Sequence, residues 1–402
     1  MSSACACRRC NRLSRGPGGN DDVQRQKGFN AMSMVHHLRP WIRRHLLGRF
    51  LATRYLHTNH CLFFDMTEKF ANKAAWIRAK REPVVIDDAP NPELAEHHVR
   101  IKVAYTAINP LDAKLQFFDV LPIKFPAILG LEVTGKVVET HCPQFSVGDT
   151  VLASLDALSG PQYGGFQKYT IAQMGHIAKI SDNADLSKVV TSPVALFTTI
   201  YYFTKELHLD LPDLSNLSPE PTKGTVLVYS GSSATGAAAI QLAVQAGYKV
   251  VTTSSSRNAD YVRSLGAHVV IERTSEDHVI SALKAELPYI AVYDNFGTVD
   301  TGNVIAQAIG KGTIITLVPY NLPSKFSDVV VKFQATPERH LSASSKKFLI
   351  EDYFPLITKP GSTVFKFQPG RLLGGLDQVQ AGLNEQLKGV SAKKLIVAPN
   401  QE

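Results

Sequence analysis

The 402-residue chain predicts an α/β protein in which a mostly β domain carries an inserted, doubly wound domain with a parallel sheet. Three observations carry that expectation. Short β-branched and aromatic runs, punctuated by glycine and proline, fill residues 74–192. Strand-like and helix-like runs then alternate from Thr225 to Val318, the pattern of a parallel sheet covered on both faces. The tail from Glu338 returns to mixed character and ends on a strand-like run, KKLIVAP.

Composition bounds the rest. Hydrophobic residues at 44% and charged residues at 19% suit a globular chain with a sizeable core. No run reaches 18 consecutive apolar residues, so neither a membrane span nor a membrane partner is expected. The net charge of +8 resides in residues 1–65, where 11 Lys+Arg face 3 Asp+Glu, leaving 32 of each sign in residues 66–402. A neutral body has no charge reason to seek polyanions, and nucleic acid is not expected as a partner.

Cys5, Cys7, Cys10 and Cys61 lie in the first segment and only Cys142 in the body. One thiol makes no disulfide framework and no four-cysteine zinc site, which points to a reducing compartment. CACRRC with His36 or His37 has zinc-ligand types, but no apolar periodic segment surrounds it. The run RPWIRRHLLGRFLATRYLH (Arg39 to His57) is Arg-rich, acid-poor and amphipathic as a helix, like a mitochondrial targeting segment. A disordered tail, or an upstream stretch preceding a start at Met66, are the competing readings. A cytoplasmic location is therefore expected, with mitochondrial import through residues 1–65 as the alternative.

Along the body, AAWIRA, HHVRIKVAYTAIN, EVTGKVVE, DTVLAS and FQKYTIA read as strands, with hairpin turns at VGD (Val147 to Asp149) and YGG (Tyr163 to Gly165). SPVALFTTIYYFTKELHL (Ser192 to Leu209) is long and apolar enough to predict a buried helix. After a Pro/Ser-rich linker come TVLVYS, KVVTTS, HVVIE, IAVYD and TIITLVP as strands, with helices up to Ala246, over Asn258 to Ser264, near Val279 to Glu286 and around Asn303 to Ala308. A further helix is expected near Leu376 to Leu387. The expected division is a basic extension at 1–65, a β domain from 66–193 and 338–402, and a nucleotide-binding domain over 194–337.

The loop Ser230-Gly231-Ser232-Ser233-Ala234-Thr235-Gly236 follows the first strand of the alternating region and opens a helix. There, free backbone N–H groups and the helix dipole favour a pyrophosphate. Gly231 is expected to permit the tight turn and Gly236 the close packing of helix on sheet, with Ser232, Ser233 and Thr235 adding hydroxyl donors. A small-residue packing turn with no ligand is the plain alternative. The second strand bears on the nucleotide. An NAD site usually ends it with a carboxylate for the ribose hydroxyls, whereas here Thr253, Ser254, Ser255, Ser256, Arg257 and Asn258 precede the first acid, Asp260. Hydroxyls and Arg257 suit a 2′-phosphate, so NADP(H) is the expected cofactor. Arg257 as a solvated charge at a helix start is the competing reading.

INPLDAK (Ile108 to Lys114), LGLEVTGKV (Leu129 to Val137), VGDTV (Val147 to Val151), YGGFQKYT (Tyr163 to Thr170), the glycine loop, SLGAHVV (Ser264 to Val270) and GGLDQVQAGL…GVSAKKLIV (Gly374 to Val397) occur in an order that resembles the medium-chain dehydrogenase/reductase superfamily. The resemblance runs from about residue 70 to the end. It implies a GroES-like mostly β catalytic domain with an inserted Rossmann-type domain. Within the superfamily the chain looks like the zinc-independent quinone oxidoreductase and enoyl reductase branch, and SGSSATGAAAIQLA and SSSRNADYVRSLGA look like fungal trans-acting enoyl reductases.

Where zinc-dependent members carry Gly-His-Glu, this chain has Gly130-Leu131-Glu132, and leucine cannot ligate a metal. No metal is expected. The chemistry implied is hydride delivery from NADPH to an activated C=C bond of an enone, quinone or enoyl thioester, the last carried by a polyketide synthase. A cofactor-binding scaffold or partner protein with little catalysis is the alternative function, and the protein is expected as a monomer or homodimer. The resemblance further implies Lys114 as the polar group near cofactor or substrate and Thr198 as the contact to the nicotinamide carboxamide. A surface lysine, and a threonine bonded to its own helix carbonyl, are the competing readings. Leu317, Val318, Val390 and Ser391 match cofactor-contacting backbone. Arg273 stands where relatives often carry tyrosine near the adenine, and its guanidinium can stack on a ring. Tyr105, Tyr163 and His176 read as structural.

Overall fold

The computed structural model describes residues 70–118, 120–335 and 337–401. The cysteine cluster, the targeting-like run and the start at Met66 lie outside the described residues. The β-rich part comprises β1 (Lys73–Ile77), β2 (Val85–Asp88), β3 (His98–Ile108), α1 (Pro110–Phe117), β4 (Ala127–Ile128), β5 (Glu132–Thr140), β6 (Thr150–Ser154), β7 (Tyr169–Gln173) and β8 (Ile177–Lys179). Then come α2 (Leu186–Val189) and α3 (Pro193–Tyr201), which a π-helical turn extends to Glu206. The alternating part comprises β9 (Thr225–Tyr229), α4 (Ala234–Gln245), β10 (Lys249–Ser254), α5 (Ala259–Arg263), β11 (Val269–Glu272), α6 (Glu276–Ala285), β12 (Tyr289–Asp294), α7 (Val299–Ile309), β13 (Gly312–Thr316) and β14 (Val329–Phe333). The return holds α8 (Ala343–Lys347), α9 (Phe354–Ile357), β15 (Gly370–Gly374), α10 (Val379–Lys388) and β16 (Lys394–Val397).

The alternating part forms a six-stranded sheet in the order β11-β10-β9-β12-β13-β14, parallel throughout the described residues. Chain order reverses between β9 and β12, and ligands bind doubly wound sheets at the carboxyl ends of such strands. The unbroken apolar run TVLVY has a simple cause. Val226 and Val228 pack with Ala237, Ala238 and Ala239 of α4, while Leu227 and Tyr229 pack on the opposite face with Leu283 and Ile305. A strand covered on both faces has no polar position to alternate.

A second sheet runs β15-β16-β3-β5-β6-β8, with β7 also on β3, and a three-stranded sheet runs β2-β1-β4. Val99, Ile101, Val103, Val133 and Val151 are the buried partners inside the larger one. β16 lies antiparallel to β3, pairing Leu395 with Ile108, so the chain's last strand meets the strand that leads into α1. Cys142 is buried and free.

The turn at VGD joins β5 to β6 with Gly148 at φ 97°, as its sequence demands. YGG is not a hairpin: β6 pairs with β5 and β8, whereas β7 pairs with β3. Its glycines serve a close approach instead, since a Cβ on Gly164 would collide with the Ile128 carbonyl and lie 2.8 Å from that of Leu129. Elements beyond those expected from the sequence include β2, β4, β8, α1, α2, β14, β15 and the helical stretch from Ala343 to Ile357. Pro355 reads as a breaker there, but it occupies the first turn of α9, where proline is tolerated.

Candidate cofactor and active site

Two walls meet at the carboxyl end of β9. The first is the glycine loop. Within the tight turn it is Ser230, not Gly231, that takes a left-handed backbone, φ 64°. Its N–H donates to Thr253 Oγ1 at 3.0 Å, and Gly231 N–H donates to the Thr253 carbonyl at 3.0 Å. Gly231 is instead a packing glycine: a Cβ would collide with Thr252 Oγ1 and lie 2.7 Å from Ile240 Cδ1. A Cβ on Gly236 would lie 2.5 Å from the Ser230 carbonyl oxygen, so the first turn of α4 is pressed onto the loop.

The hydroxyls divide their work. Ser233 caps α4: its Oγ accepts from Gly236 N–H at 3.0 Å and donates to the Ser230 carbonyl at 3.0 Å. It is therefore spent on the loop and is not the free donor expected. With Ser233 on Gly236, the N–H groups of Ala234 and Thr235 have no intrahelical acceptor and remain for an anion. Those groups, the helix dipole and the flanking cations fit a dinucleotide pyrophosphate. Asn258 Nδ2 reaches Ser391 Oγ at 2.7 Å and Ser232 Oγ at 3.4 Å, and Gln368 Nε2 donates to the Ser232 carbonyl at 3.0 Å. The loop, the turn after β10 and the return segment are thus tied together.

At the rim, Arg273 folds over the loop. Its Nη1 donates to Ser230 Oγ at 3.0 Å and to Thr253 Oγ1 at 3.4 Å, with the guanidinium 5.8 Å from the Tyr229 ring. Arg257 is exposed in the turn after β10 and has no side-chain partner among the described residues. Ser254 is buried at the strand end, its Oγ on the Ser255 carbonyl, and Ser255 is half-buried. The ladder also sets Glu272 across from Ser254, but Arg263 holds that carboxylate at 3.2 Å and Ser256 draws its pKa down. Leu317 and Val318 follow β13. Leu317 N–H donates to the Asp294 carbonyl at 3.4 Å, while Val318 closes a turn on Thr316. Val390 and Ser391 are half-buried ahead of β16.

The second wall is built on Glu132, which is fully buried. Its Oε1 accepts from Asn109 Nδ2 at 2.9 Å and is paired with Lys394 Nζ, while its Oε2 accepts from Val194 N–H at 2.9 Å. One carboxylate therefore fastens the start of α1, the start of α3 and the last strand. Asp112, also fully buried, accepts from Asn109 N–H at 2.8 Å and Gly130 N–H at 3.0 Å, pinning α1 to the turn before Leu131. Burial pushes its carboxyl up to about 7, the two N–H bonds opposing and the Glu132 charge adding.

On these helices stand the two candidate catalytic residues. Lys114 is half-buried on α1, its ammonium has no partner among the described residues, and burial pulls its pKa below the ordinary lysine value. Thr198 is 8% exposed on α3, and its hydroxyl makes no bond to its own helix among the described residues, unlike Thr204, which donates to Ile200 at 2.8 Å. The next residue, Thr199, reaches the Thr235 carbonyl at 3.4 Å and so joins α3 to the glycine loop. The Asn109–Asp112–Glu132–Lys394 network was absent from the sequence reading. Only the charge of Glu132 inside an apolar strand signalled it, and nothing signalled Lys394, 262 residues away.

Comparison with known proteins follows the same lines. Residues 95–182 match the alcohol dehydrogenase GroES-like domain. The trans-enoyl reductase himH of Aspergillus japonicus is 32% identical over 337 residues, 81% of this chain and 97% of its own length. The chain belongs to the medium-chain dehydrogenase/reductase superfamily.

Among solved structures, an alcohol dehydrogenase superfamily protein from Novosphingobium aromaticivorans aligns at TM-score 0.67 with 20% identity, over 81% of this chain and 99% of the other. A mycobacterial protein complexed with NADPH aligns at TM-score 0.65 with 18% identity, over 82% and 100%. The superfamily's GroES-like and Rossmann-like parts correspond to the β-rich part and the six-stranded sheet, and the chain is an oxidoreductase of that superfamily. Among the described residues, no cluster of three or more His, Cys, Asp or Glu could hold a metal, and no helix is long and apolar enough to cross a membrane.

Proposed function

We propose that the protein is a zinc-independent, NADPH-dependent reductase of activated C=C bonds in enones, quinones or enoyl thioesters, the thioester form being presented by a polyketide synthase. The observation that carries this reading is the donor set at the turn Gly130-Leu131-Glu132, which α3 joins to the glycine loop through Val194 and Thr199. Leu131 offers no ligand, and both oxygens of Glu132 are already taken by Asn109, Lys394 and Val194. A Lewis acid has nothing to bind there. Without one, a carbonyl conjugated to a C=C bond takes the developing negative charge on its own oxygen.

Bound NADPH supplies the hydride. The N–H groups of Ala234 and Thr235 receive the pyrophosphate, Arg257 the 2′-phosphate, Arg273 the face of the adenine, and the unbonded Thr198 hydroxyl the nicotinamide carboxamide. Lys114 then faces the acceptor's oxygen. A half-buried, unpaired ammonium stabilises an enolate more than a solvated one, and its lowered pKa suits it to pass a proton on. The himH relative, a trans-enoyl reductase by name, supports the enoyl thioester within this range.

The deciding experiment is single-turnover and steady-state kinetics with NADPH and NADH against a panel of enones, quinones and enoyl thioesters. NADPH oxidation with at least one acceptor is expected, with kcat falling about 100-fold in Lys114→Ala. Saturable NADPH binding with no turnover across the panel would overturn the reading.

A further inference from the structure

Away from the glycine loop, a cleft of about 500 Å³ opens between β7, β8, the loop after β6 and the return segment. His98, Asp156, His176, Arg339 and Lys346 line it, and neither Lys114, Thr198 nor any glycine-loop residue does. The one carboxylate in the wall is already engaged: Asp156 is paired with Arg339, which also reaches Ser159 Oγ at 3.3 Å. The Lys346 ammonium is half-buried and has no side-chain partner among the described residues. It stands over the β7–β8 turn, where a Cβ on Gly175 would meet its Nζ at 3.4 Å.

The neighbouring His176 lies flat on Phe197, with centroids 5.8 Å apart and planes 3° apart. Phe197 immediately precedes Thr198 on α3, so the cleft adjoins the helix of the second site wall. Burial pushes the His176 imidazole down to about 4, Lys346 and Arg339 adding to the effect and Asp156 opposing it. The cleft thus holds an ammonium and a guanidinium against one carboxylate, with the imidazoles of His98 and His176 beside them. Such a surplus in a partly desolvated space is what an oxyanion with several acceptor oxygens satisfies.

We propose that this cleft is an anion subsite for a phosphate ester and, resting on the function proposed above, that it receives the phosphate of the pantetheine arm carrying an enoyl thioester. Lys346 and Arg339 hold the phosphate oxygens. The remaining volume is several times that of a phosphate group and accommodates the adjoining arm. His176 separates the cleft from Phe197 of α3.

Two measurements on the full chain test it. In the first, the imidazole C2 proton of His176, assigned with His176→Asn, is titrated by NMR with and without inorganic phosphate. A bound anion stabilises the imidazolium, so the midpoint of His176 should rise; a midpoint unchanged at saturating phosphate overturns the subsite, whatever the enzyme reduces. In the second, KM is compared for a pantetheine 4′-phosphate enoyl thioester and the matched thioester lacking phosphate. Lys346→Met should raise the first roughly tenfold or more and leave the second and the NADPH Kd unchanged, with Lys346→Arg restoring the preference. Equal KM values, with phosphate still shifting His176, overturn the carrier arm and leave a subsite for free phosphate. No turnover of any acceptor, with the midpoint still rising, overturns the proposed reaction and sustains the subsite.

Discussion

At the wall of α1 and α3, the charges of Glu132, Lys394 and Asp112 are buried and their bonding capacity is spent inside the protein. At the glycine-loop wall the charges of Arg257 and Arg273 are exposed, and the bonds between backbone and hydroxyls do the shaping. A buried carboxylate that fastens three elements sets where Lys114 and Thr198 stand but has nothing left to offer a ligand. The exposed Arg257 guanidinium sets little of the fold and is left to choose a nucleotide, whereas Arg273 also closes over the loop onto Ser230 and Thr253. Geometry and selectivity are therefore assigned to different walls, and changes at each should have different readouts.

The sharpest way to break that contrast is Glu132→Gln. It leaves Lys394 buried without its counter-charge, and the expected loss is about 3–5 kcal/mol of stability. Equilibrium chemical denaturation measures it, and a loss comparable to that of a surface substitution would mean that the network does not hold the wall.

Asp112 comes next, and its sign is unusual. Its folded pKa lies above the ordinary 3.8, at about 7. The folded state therefore binds the proton more tightly between pH 4 and 7, and stability from this group declines across that window and stays level above it. The decline amounts to about 4 kcal/mol at most. Asp112→Asn removes the titration, so the variant should gain on the parent as pH rises from 4 to 8 in urea melts. A stability gap that is constant with pH would refute it.

On the loop wall, Gly231→Ala adds a methyl where Thr252 Oγ1 and Ile240 already stand. A loss of about 1–3 kcal/mol is expected, accompanied by weaker NADPH binding as the loop shifts. The smallest effect, and the most selective, is expected of Arg257→Ala. It should weaken NADPH about tenfold, as loss of a charge-assisted contact does, and leave NADH and the melting curve nearly unchanged. Equal losses for both cofactors would move the selectivity elsewhere.

Legibility in the sequence followed the same division. The loop, α4 and the second strand are contiguous, and their small residues, hydroxyls and absent carboxylate could be read in place. What the motif does not disclose is the division of labour inside it: Ser230 takes the left-handed backbone, while Gly231 sits where Thr252 and Ile240 leave no room for a Cβ. The hairpin read at Tyr163 to Gly165 failed for a similar reason, since those glycines answer to residues 128–130 and not to their own turn. β15 is not legible because GRLLG, with a glycine at each end, gains strand geometry from the β16 it pairs with, whereas the valines of VVVKF do carry a strand signal for β14.

By itself the sequence determined the doubly wound sheet, the anion-ready turn after its first strand, and Leu131 at the position where zinc-dependent relatives carry a ligand. These are local statements, made by periodicity, by a helix start and by one side chain's lack of a donor. Only the tertiary structure decided that Glu132 meets Lys394 and Val194, that Asn258 meets Ser391, and that Lys346 and Arg339 face His176 across one cleft. Those pairs join residues far apart in the chain. Their partners are chosen by how the sheets close and by the cost of leaving a buried charge alone, neither of which a linear pattern records.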